Sequence, residues 1–299
     1  MMIIKLPGRT KIPECFIYVE ILQQNKFKSL GEDRPAMVLL PGGPGGNHHV
    51  YDEIKLGLFE FFDLVLIDPR GCGLSSPSLT QYCTMENSVE DLKALTQQLQ
   101  LKKFILLGGS YGAMISLCFS VKYSNRLLAL ILLGGAASGE FISTALKKLE
   151  KIGTVEQVFF GKKMLSGHIE SKEELAYYYR LMQPLYLGKF NTQLIPADPI
   201  TFENSKPDYF LELLKCGFSK MLPKYDVKNQ LHKINCPTLV IAGKNDWIND
   251  IEDLRKINNA IPNSVLLEFP ESGHFMWKGV ESKFFKAIKN FFFNGIERK

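Results

Sequence analysis

The stretch that decides the fold is Phe-Ile-Leu-Leu-Gly-Gly-Ser-Tyr-Gly at residues 104–112. Its first four residues form an apolar run typical of a buried strand, and residues 111–121 are predicted to form a helix. Gly108, Ser110 and Gly112 fit the pattern G-x-S-x-G, in which small residues allow a strand-to-helix turn tight enough to project the serine hydroxyl. A phosphate-binding turn is the alternative, but neither GxGxxG spacing nor a following Gly-Lys pair is present.

Strand-sized apolar runs recur along the chain and alternate with helical patterns. The runs rich in Val, Ile and Leu are residues 37–40, 64–67, 104–107, 130–133, 238–242 and 265–269. The clearest helical pattern covers 87–99, where Asn87 is the predicted N-cap and the apolar residues from Val89 to Leu99 share one face. Alternating strands and helices predict the α/β class, with a mostly parallel, doubly wound sheet.

The alternation is interrupted after Gly135. Residues 136–225 are Lys-rich and aromatic, with helical patterns but few strand-like runs, and we interpret them as an inserted helical cap. The core then consists of two parts, 1–135 and 226–299. Near the end of the chain, five apolar residues are spaced along one helix face: Phe284, Phe285, Ile288, Phe291 and Phe292. We expect this face to pack on the sheet rather than on a membrane, because such a sheet needs helices on both sides.

Composition sets the broad class and argues against several partners. Of the 299 residues, 45% are hydrophobic and 22% are charged, as expected of a soluble folded protein. The net charge of +5 is spread without a basic stripe, which argues against nucleic-acid binding. No run reaches the roughly 18 to 20 apolar residues that span a bilayer, and the amino terminus lacks a signal-peptide core. Six dispersed cysteines predict reduced thiols in the cytoplasm, and neither a metal nor a cofactor is expected.

A serine nucleophile needs a base, and His274 is the best placed of the five histidines. It follows the predicted strand 265–269, so it belongs to a loop at the same carboxyl edge of the sheet as Ser110. Asp246 follows the strand 238–242 and lies between the serine and the histidine in sequence, the order Ser, Asp, His. It is placed to accept the Nδ1 proton of His274, and the alternative is that it only caps a turn. The sequence therefore predicts a catalytic triad of Ser110, Asp246 and His274.

The other candidates for base and carboxylate fit less well. His168 and His232 fall in or near the predicted cap. His48 and His49 follow a glycine-rich loop. For the pair after the loop, solvent exposure or substrate contact is the simpler interpretation. Asp226 and Asp250 are kept as alternatives to Asp246.

The oxyanion of a tetrahedral intermediate needs two backbone N–H donors. One is expected from the residue after the nucleophile, here Tyr111. The other is expected from a loop after an earlier strand, and Leu-Pro-Gly-Gly-Pro-Gly-Gly at 40–46 is such a loop. Its glycines let the backbone approach a ligand closely, and Gly43 is the predicted donor. A phosphate-binding loop is the competing interpretation, although no downstream Lys or Ser/Thr pattern accompanies it.

These motifs resemble those of the α/β-hydrolases of the proline iminopeptidase type. The resemblance rests on the glycines at 42–46, on Asp-Pro-Arg-Gly-Cys-Gly-Leu-Ser at 68–75, on Gly-Ser-Tyr-Gly at 109–112, and on the segments around Asp246 and His274. It covers the core and not the cap. It implies the α/β-hydrolase fold, a Ser-His-Asp route that releases an amino-terminal residue, commonly proline, and a structural role for Arg70.

Two departures from that family's pattern concern the site. Pro41 stands where the family usually has His before the glycines, which leaves the backbone N–H donors in place. The family's aminopeptidases hold the free amine of the substrate with cap glutamates, and the stretches that carry them find no match here. Glu203 and Glu212 lie in the cap region without an assigned role. Enclosing an ammonium without a carboxylate partner carries a large desolvation cost.

Three functions are therefore open. The leading one is a metal-independent serine hydrolase similar to proline iminopeptidase, an aminopeptidase that acts on small peptides through an acyl-enzyme. The rival is a carboxylesterase or lactonase on the same fold, whose apolar cap selects acyl groups. The third is a non-catalytic protein that keeps the fold to bind a small ligand. A small molecule or short peptide is the expected partner in each case, and the sequence does not determine the oligomeric state.

Overall fold

The computed structural model describes residues 1–189 and 210–294. Within these ranges the strands are β1 (Met2–Leu6), β2 (Cys15–Leu22), β3 (Ala36–Leu40), β4 (Asp63–Ile67), β5 (Phe104–Gly109), β6 (Leu127–Leu133), β7 (Thr238–Gly243) and β8 (Ser264–Phe269). They form one sheet in the order β1-β2-β4-β3-β5-β6-β7-β8. Strands β3 to β8 pair in parallel, and only the contacts of β1 and β2 in this sheet are antiparallel. The predicted α/β class with a mostly parallel sheet is confirmed.

Helices cover both faces of this sheet and make up most of the described part of the region predicted as a cap. In the described ranges they are α1 (Lys55–Phe59), α2 (Met85–Gln98), α3 (Tyr111–Tyr123), α4 (Phe141–Ile152), α5 (Val155–Leu165), α6 (Lys172–Leu187), α7 (Leu211–Cys216), α8 (Ile251–Ala260) and α9 (Glu281–Lys289). Helices α4 to α7 lie between β6 and β7 in sequence. Along residues 1–189 and 210–294, no helix combines the length and the apolar character that a membrane crossing requires.

The chain leaves β6 and returns toward β7 through a paired connection. Val227 N donates to Ala137 O at 2.8 Å, and Gly139 N donates to Tyr225 O at 2.7 Å. The Tyr225 hydroxyl donates to Ala136 O at 2.9 Å, and burial raises the pKa of this phenol well above its usual value. Helices α4 to α7 are therefore attached to the sheet by two adjacent segments that bond to each other.

Alternate side chains of the parallel strands enter opposite core layers. Met37 and Leu39 of β3 pack in one cluster with residues of α1 and α9, whereas Val38 and Leu40 pack in the other with residues of α2 and α3. All four are buried. Because both faces of β3 are covered, its sequence is an unbroken apolar run rather than an alternating one.

The carboxyl-terminal helix packs as the sequence predicts. Phe284, Ile288 and Phe291 are at most 1% exposed and belong to the same cluster as Met37 and Leu39. The expectation that this apolar face packs on the sheet is confirmed for these three side chains.

Two features of the fold differ from the sequence-based expectation. Strands β1 and β2 are not predicted. They pair with each other at the edge of the sheet, and β2 also pairs with β4, which is distant in sequence, as in Val19 opposite Ile67. The prediction of Asn87 as the N-cap of α2 is wrong. Thr84 caps the helix, since its hydroxyl accepts from Asn87 N at 3.2 Å, and Asn87 lies in the first turn. Both residues have capping side chains, and only the backbone geometry distinguishes them.

Candidate active site

Ser110 lies in the turn between β5 and α3. Its backbone has φ 54° and ψ −116°, outside the regions that non-glycine residues ordinarily occupy. The neighbouring glycines are required by close packing, because a Cβ on Gly108 would overlap Gly112 O and a Cβ on Gly112 would overlap Leu40 O. Such a backbone conformation costs about 1–3 kcal/mol and persists only where the surrounding structure enforces it. The turn holds Ser110 at the carboxyl edge of the sheet and at the positive end of α3.

A buried hydrogen bond joins His274 to Asp246. His274 Nδ1 lies 2.7 Å from Asp246 Oδ2, and the exposed fractions of the two residues are 9% and 0%. The other carboxylate oxygen accepts from the backbone N–H groups of Ile248 at 2.8 Å and Asn249 at 3.1 Å. This carboxylate therefore both contacts the histidine and caps a turn. An ionised carboxylate only accepts hydrogen bonds, so Nδ1 carries the proton and Nε2 of the neutral ring is an acceptor.

One cavity brings the predicted site residues together. Its lining includes Ser110, His274, Gly43 and Tyr111. Asp246 does not line the cavity itself but is hydrogen-bonded to Nδ1 of His274. The glycine loop after β3 runs beside the serine, since a Cβ on Gly42 would lie 3.4 Å from Ser110 Cβ. Tyr111 is the first residue of α3, where backbone N–H groups have no partner within the helix. The cavity thus has a hydroxyl, an imidazole and two candidate N–H donors on its walls.

Tyr51 supports the elbow and is a residue that the sequence reasoning did not identify. Its hydroxyl donates to Leu40 O at 2.6 Å and would lie 3.0 Å from a Cβ on Gly109. The side chain is 1% exposed and lines the cavity, and burial raises the pKa of its phenol. No local motif marks this tyrosine, because its partners are backbone atoms of β3 and β5.

The rest of the cavity wall is apolar and aromatic. It includes aliphatic and thioether side chains such as Met114, Leu133 and Leu222, and it includes three tyrosines, Tyr178, Tyr179 and Tyr186. The hydroxyl oxygens of Tyr178 and Tyr186 lie 3.1 Å apart. Among the described residues that line the cavity there is no Asp, Glu, Lys or Arg. This part of the wall offers hydrophobic contact and hydroxyl groups rather than full charges.

His48 is buried, so the solvent exposure predicted for it is wrong. It is 4% exposed and its Nδ1 lies 2.7 Å from Asp68 Oδ1. The same carboxylate accepts from His48 N at 2.8 Å and, through Oδ2, from Leu74 N at 2.8 Å. The pair joins the loop after β3 to the loop after β4, and a contact between two loops leaves no local signal in the sequence.

The remaining alternatives do not contact His274. His49 bonds to Asp52 at 2.8 Å, and His168 and His232 are exposed. The two alternative carboxylates serve local turns: Asp226 accepts from Lys228 N at 2.9 Å, and Asp250 caps α8 through Glu252 N at 2.9 Å.

Arg70 makes a buried bidentate pair. Its Nε and one terminal nitrogen lie 2.8 Å from the two carboxylate oxygens of Asp91, and its other terminal nitrogen donates to Pro13 O at 3.0 Å. These contacts connect the loop after β4 to α2 and to the segment before β2. They agree with the structural role that the resemblance implies.

Of the two cap glutamates named from the sequence, Glu212 does not line the cavity. The side chain of Glu212 is 63% exposed and lies 3.3 Å from Lys215 Nζ. Glu203 lies outside the described residues. Across the part of the chain that the structure describes, no group of three or more His, Cys, Asp or Glu side chains converges as a metal site would.

Comparison with known proteins gives a family match, similar sequences and similar structures. A family model described as the alpha/beta hydrolase fold matches residues 35–277. A proline iminopeptidase of Pestalotiopsis fici is 29% identical over 81% of this chain and 86% of that protein. One of Saccharolobus solfataricus is 27% identical over 85% and 84%, respectively. The crystal structure of a Mycobacterium smegmatis proline iminopeptidase, 19% identical, superposes with a TM-score of 0.73 over 98% of both chains, which is a likeness of fold.

Proposed function

The chain belongs to the α/β-hydrolase fold family, and we propose that it is a serine hydrolase that works through an acyl-enzyme on Ser110. One observation carries the proposal. The serine of a strained strand-to-helix turn shares a cavity with His274, whose Nδ1 is bonded to the buried Asp246. This arrangement combines a nucleophile, a base and a group that orients the base.

In the proposed reaction, Ser110 Oγ attacks the carbonyl carbon of the substrate while His274 Nε2 takes the hydroxyl proton. The carbonyl electron pair moves to oxygen, and the N–H groups of Gly43 and Tyr111 stabilise that oxyanion. As the intermediate collapses, the leaving group departs with the proton from His274 and the acyl-enzyme remains. Water then attacks, gives its proton to His274, and the acid is released as Ser110 recovers its proton. Asp246 stabilises the imidazolium in both halves.

We infer that the acyl group of the preferred substrate is uncharged and apolar, which makes a carboxylesterase or lactonase the first candidate. The described wall carries no Asp, Glu, Lys or Arg, and apolar side chains such as Met114 and Leu222 line it. An ammonium enclosed against the described part of the wall would lose its hydration and find no carboxylate there.

An aminopeptidase of the proline iminopeptidase type is the second candidate. The two relatives at 29% and 27% identity favour it, because both are proline iminopeptidases and both are covered over most of their length. The three CH2 groups of the proline ring are apolar, so the two candidates differ in the charge of the acyl group, which for proline lies on the ring nitrogen, and in the scissile bond, which is an ester or an amide.

The extent of the cap and the cellular compartment of the protein are also proposals. We propose that residues 136–225 form a cap that supplies one wall of the cavity, to which α4, α5 and α6 each contribute lining residues. We keep the cytoplasm as the compartment, because all six cysteines, which lie within the described ranges, are unpaired.

The first experiment tests the nucleophile. We expect a fluorophosphonate to label the wild-type protein and not the Ser110→Ala variant, since the reagent forms a covalent bond only with an activated serine. Absence of labelling in the wild type, or equal labelling of Ser110→Ala, would reject the serine-hydrolase proposal.

The second experiment measures the effect of substrate charge alone. Proline 4-nitroanilide and cyclopentanecarboxylic acid 4-nitroanilide share their leaving group and ring size and differ by the ring ammonium. We expect kcat/KM to favour the uncharged compound by at least about tenfold, equivalent to about 1.4 kcal/mol. The reverse preference would establish the aminopeptidase. Short acyl esters and a γ-lactone, measured beside this pair, separate esterase from lactonase activity.

A further inference from the structure

Residues 186–189, which are the last two residues of α6 and the two that follow it, are hydrogen-bonded to the loop that carries His274. Three backbone hydrogen bonds join the two segments: Gly273 N to Leu187 O at 3.1 Å, Phe275 N to Tyr186 O at 3.4 Å, and Lys189 N to Glu271 O at 2.9 Å. An antiparallel bridge pairs Gly188 with Ser272. The bonded residues lie on both sides of His274, so this part of α6 defines the path of the loop.

The opposite side of the His274 loop packs on the loop that carries Asp246. Asn245 N donates to Ser272 O at 2.9 Å, and Asn245 Nδ2 donates to Pro270 O at 2.7 Å. A Cβ on Gly243 would overlap Gly273 O, which shows how closely the backbones approach. The His274 loop is therefore held between the Asp246 loop and the end of α6.

The ring of Tyr186 adds a side-chain contact to the imidazole. It meets His274 edge-to-face with centroids 5.5 Å apart, meets Trp247 edge-to-face at 5.9 Å, and stacks on Phe275 at 5.7 Å. These are favourable aromatic geometries, and they fix the ring of His274 on the side facing α6.

We propose that residues 186–189 at the end of α6 are positioning residues that hold His274 in register with Ser110. This inference rests on the proposed function, because it takes His274 as the base. Proton transfer requires Nε2 within hydrogen-bond reach of the serine hydroxyl, and a displacement of about 1 Å costs a large factor in rate. Since Tyr186 also lines the cavity, α6 contributes both to the cavity wall and to the placement of the base.

Two glycine substitutions separate this role from general stability. Gly188 has φ 79°, and a Cβ there would lie 2.6 Å from Glu271 O, so Gly188→Ala pushes the end of α6 off the His274 loop. Gly167 has φ 75°, and its Cβ would overlap Lys215 O, within the cap region. Gly167→Ala is therefore a matched control with similar backbone strain and no contact to the His274 loop.

The readout is the rate at which a small fluorophosphonate labels Ser110, because labelling needs the base but little of the cavity. We expect Gly188→Ala to lower this rate at least about 30-fold and Gly167→Ala to change it less than about threefold, at similar thermal midpoints. Equal losses in the two variants, or no loss in Gly188→Ala, would overturn the proposal.

A second pair of variants serves if Gly188→Ala does not fold. Tyr186→Leu removes the ring beside His274 and Tyr186→Phe restores it. We expect Tyr186→Leu to lower kcat for a short ester at least about tenfold with KM changed less than about threefold, and Tyr186→Phe to recover most of kcat. A rise in KM at unchanged kcat would assign Tyr186 to substrate binding alone and overturn the positioning role.

The same experiment distinguishes this inference from the proposed function. An unlabelled wild-type protein rejects the proposed function. A wild type that is labelled fast and a His274→Ala variant that is labelled slowly support it. With those two results in hand, a wild-type labelling rate in folded Gly188→Ala rejects only the role of residues 186–189.

Discussion

Two buried Asp–His pairs in this protein share a hydrogen-bond length and differ in their surroundings. Asp246 with His274 and Asp68 with His48 each have an oxygen 2.7 Å from Nδ1, and both carboxylates are fully buried. Each carboxylate also accepts two backbone N–H groups. The ring of His274 lines the cavity of Ser110, whereas the ring of His48 packs against Tyr18 and His49 at 5.1 Å and 4.0 Å.

The comparison shows what a buried Asp–His hydrogen bond does and does not specify. In both places it fixes which ring nitrogen carries the proton and how the ring is oriented. A catalytic role additionally needs a nucleophile and room for a substrate beside the other nitrogen. We infer that the Asp68 pair is structural, because it connects two loops, and that the Asp246 pair is catalytic.

The strongest test of the two assigned roles is the same substitution at both carboxylates. We expect Asp246→Asn to lower kcat by about 10³–10⁴-fold, because the amide no longer selects the tautomer or stabilises the imidazolium. Asp68→Asn should lower kcat less than about tenfold, since we infer only a structural role for it. Steady-state turnover of one short ester measures both. Equal losses would show that the Asp68 pair is part of the catalytic machinery.

The histidine variants should differ in stability, and here the larger loss should come from the Asp68–His48 pair rather than from the Asp246–His274 pair. We expect His48→Ala to lower the free energy of unfolding by about 3 kcal/mol, because it leaves the charge of Asp68 buried with one partner fewer. His274→Ala should cost only about 1 kcal/mol, since the cavity lets water replace the ring. Urea unfolding of both variants at pH 7 measures the difference. A larger loss for His274→Ala would contradict the assignment of the two pairs.

A further expected effect is a loss of stability at alkaline pH, to which two buried thiols contribute. Burial, with the charge of Asp91 adding to it, raises the pKa of Cys15 from 9.0 to about 11. Burial also raises the pKa of Cys72, in the loop that follows Asp68. Below pH 9 both thiols are protonated whether the chain is folded or unfolded. Above it the unfolded chain ionises first, so stability is lost as the pH rises through the folded pKa.

Urea midpoints at pH 8, 9, 10 and 11 test that dependence. For the wild type we expect the free energy of unfolding to fall from pH 9 to pH 11. In Cys15→Ala the fall should be less steep, because one of the groups that ionise at lower pH in the unfolded chain than in the folded chain is absent. An unchanged slope in Cys15→Ala would show that this thiol is accessible to solvent in the folded protein.

Features that depend on neighbours along the chain could be predicted from the amino-acid sequence. The run at 104–107 and the glycines around Ser110 specify a strand and a tight turn, because burial on two faces and backbone clashes are local requirements. The positions of Asp246 and His274 after two later strands predicted a shared sheet edge, since parallel strands all end at the same edge. Thr84 in place of Asn87 shows the limit of such patterns, as either side chain can cap.

Only the tertiary structure decided which side chains meet across loops. The partner of His48 is an aspartate on a different loop, the support of the elbow by Tyr51 depends on two strands, and β2 pairs with β4 from far along the chain. The contact of residues 186–189 with the His274 loop and the uncharged described wall of the cavity depend on how α6 is seated. Periodicity and turn chemistry encode contacts within a few residues, whereas these contacts follow from the sheet order and from helix packing on it.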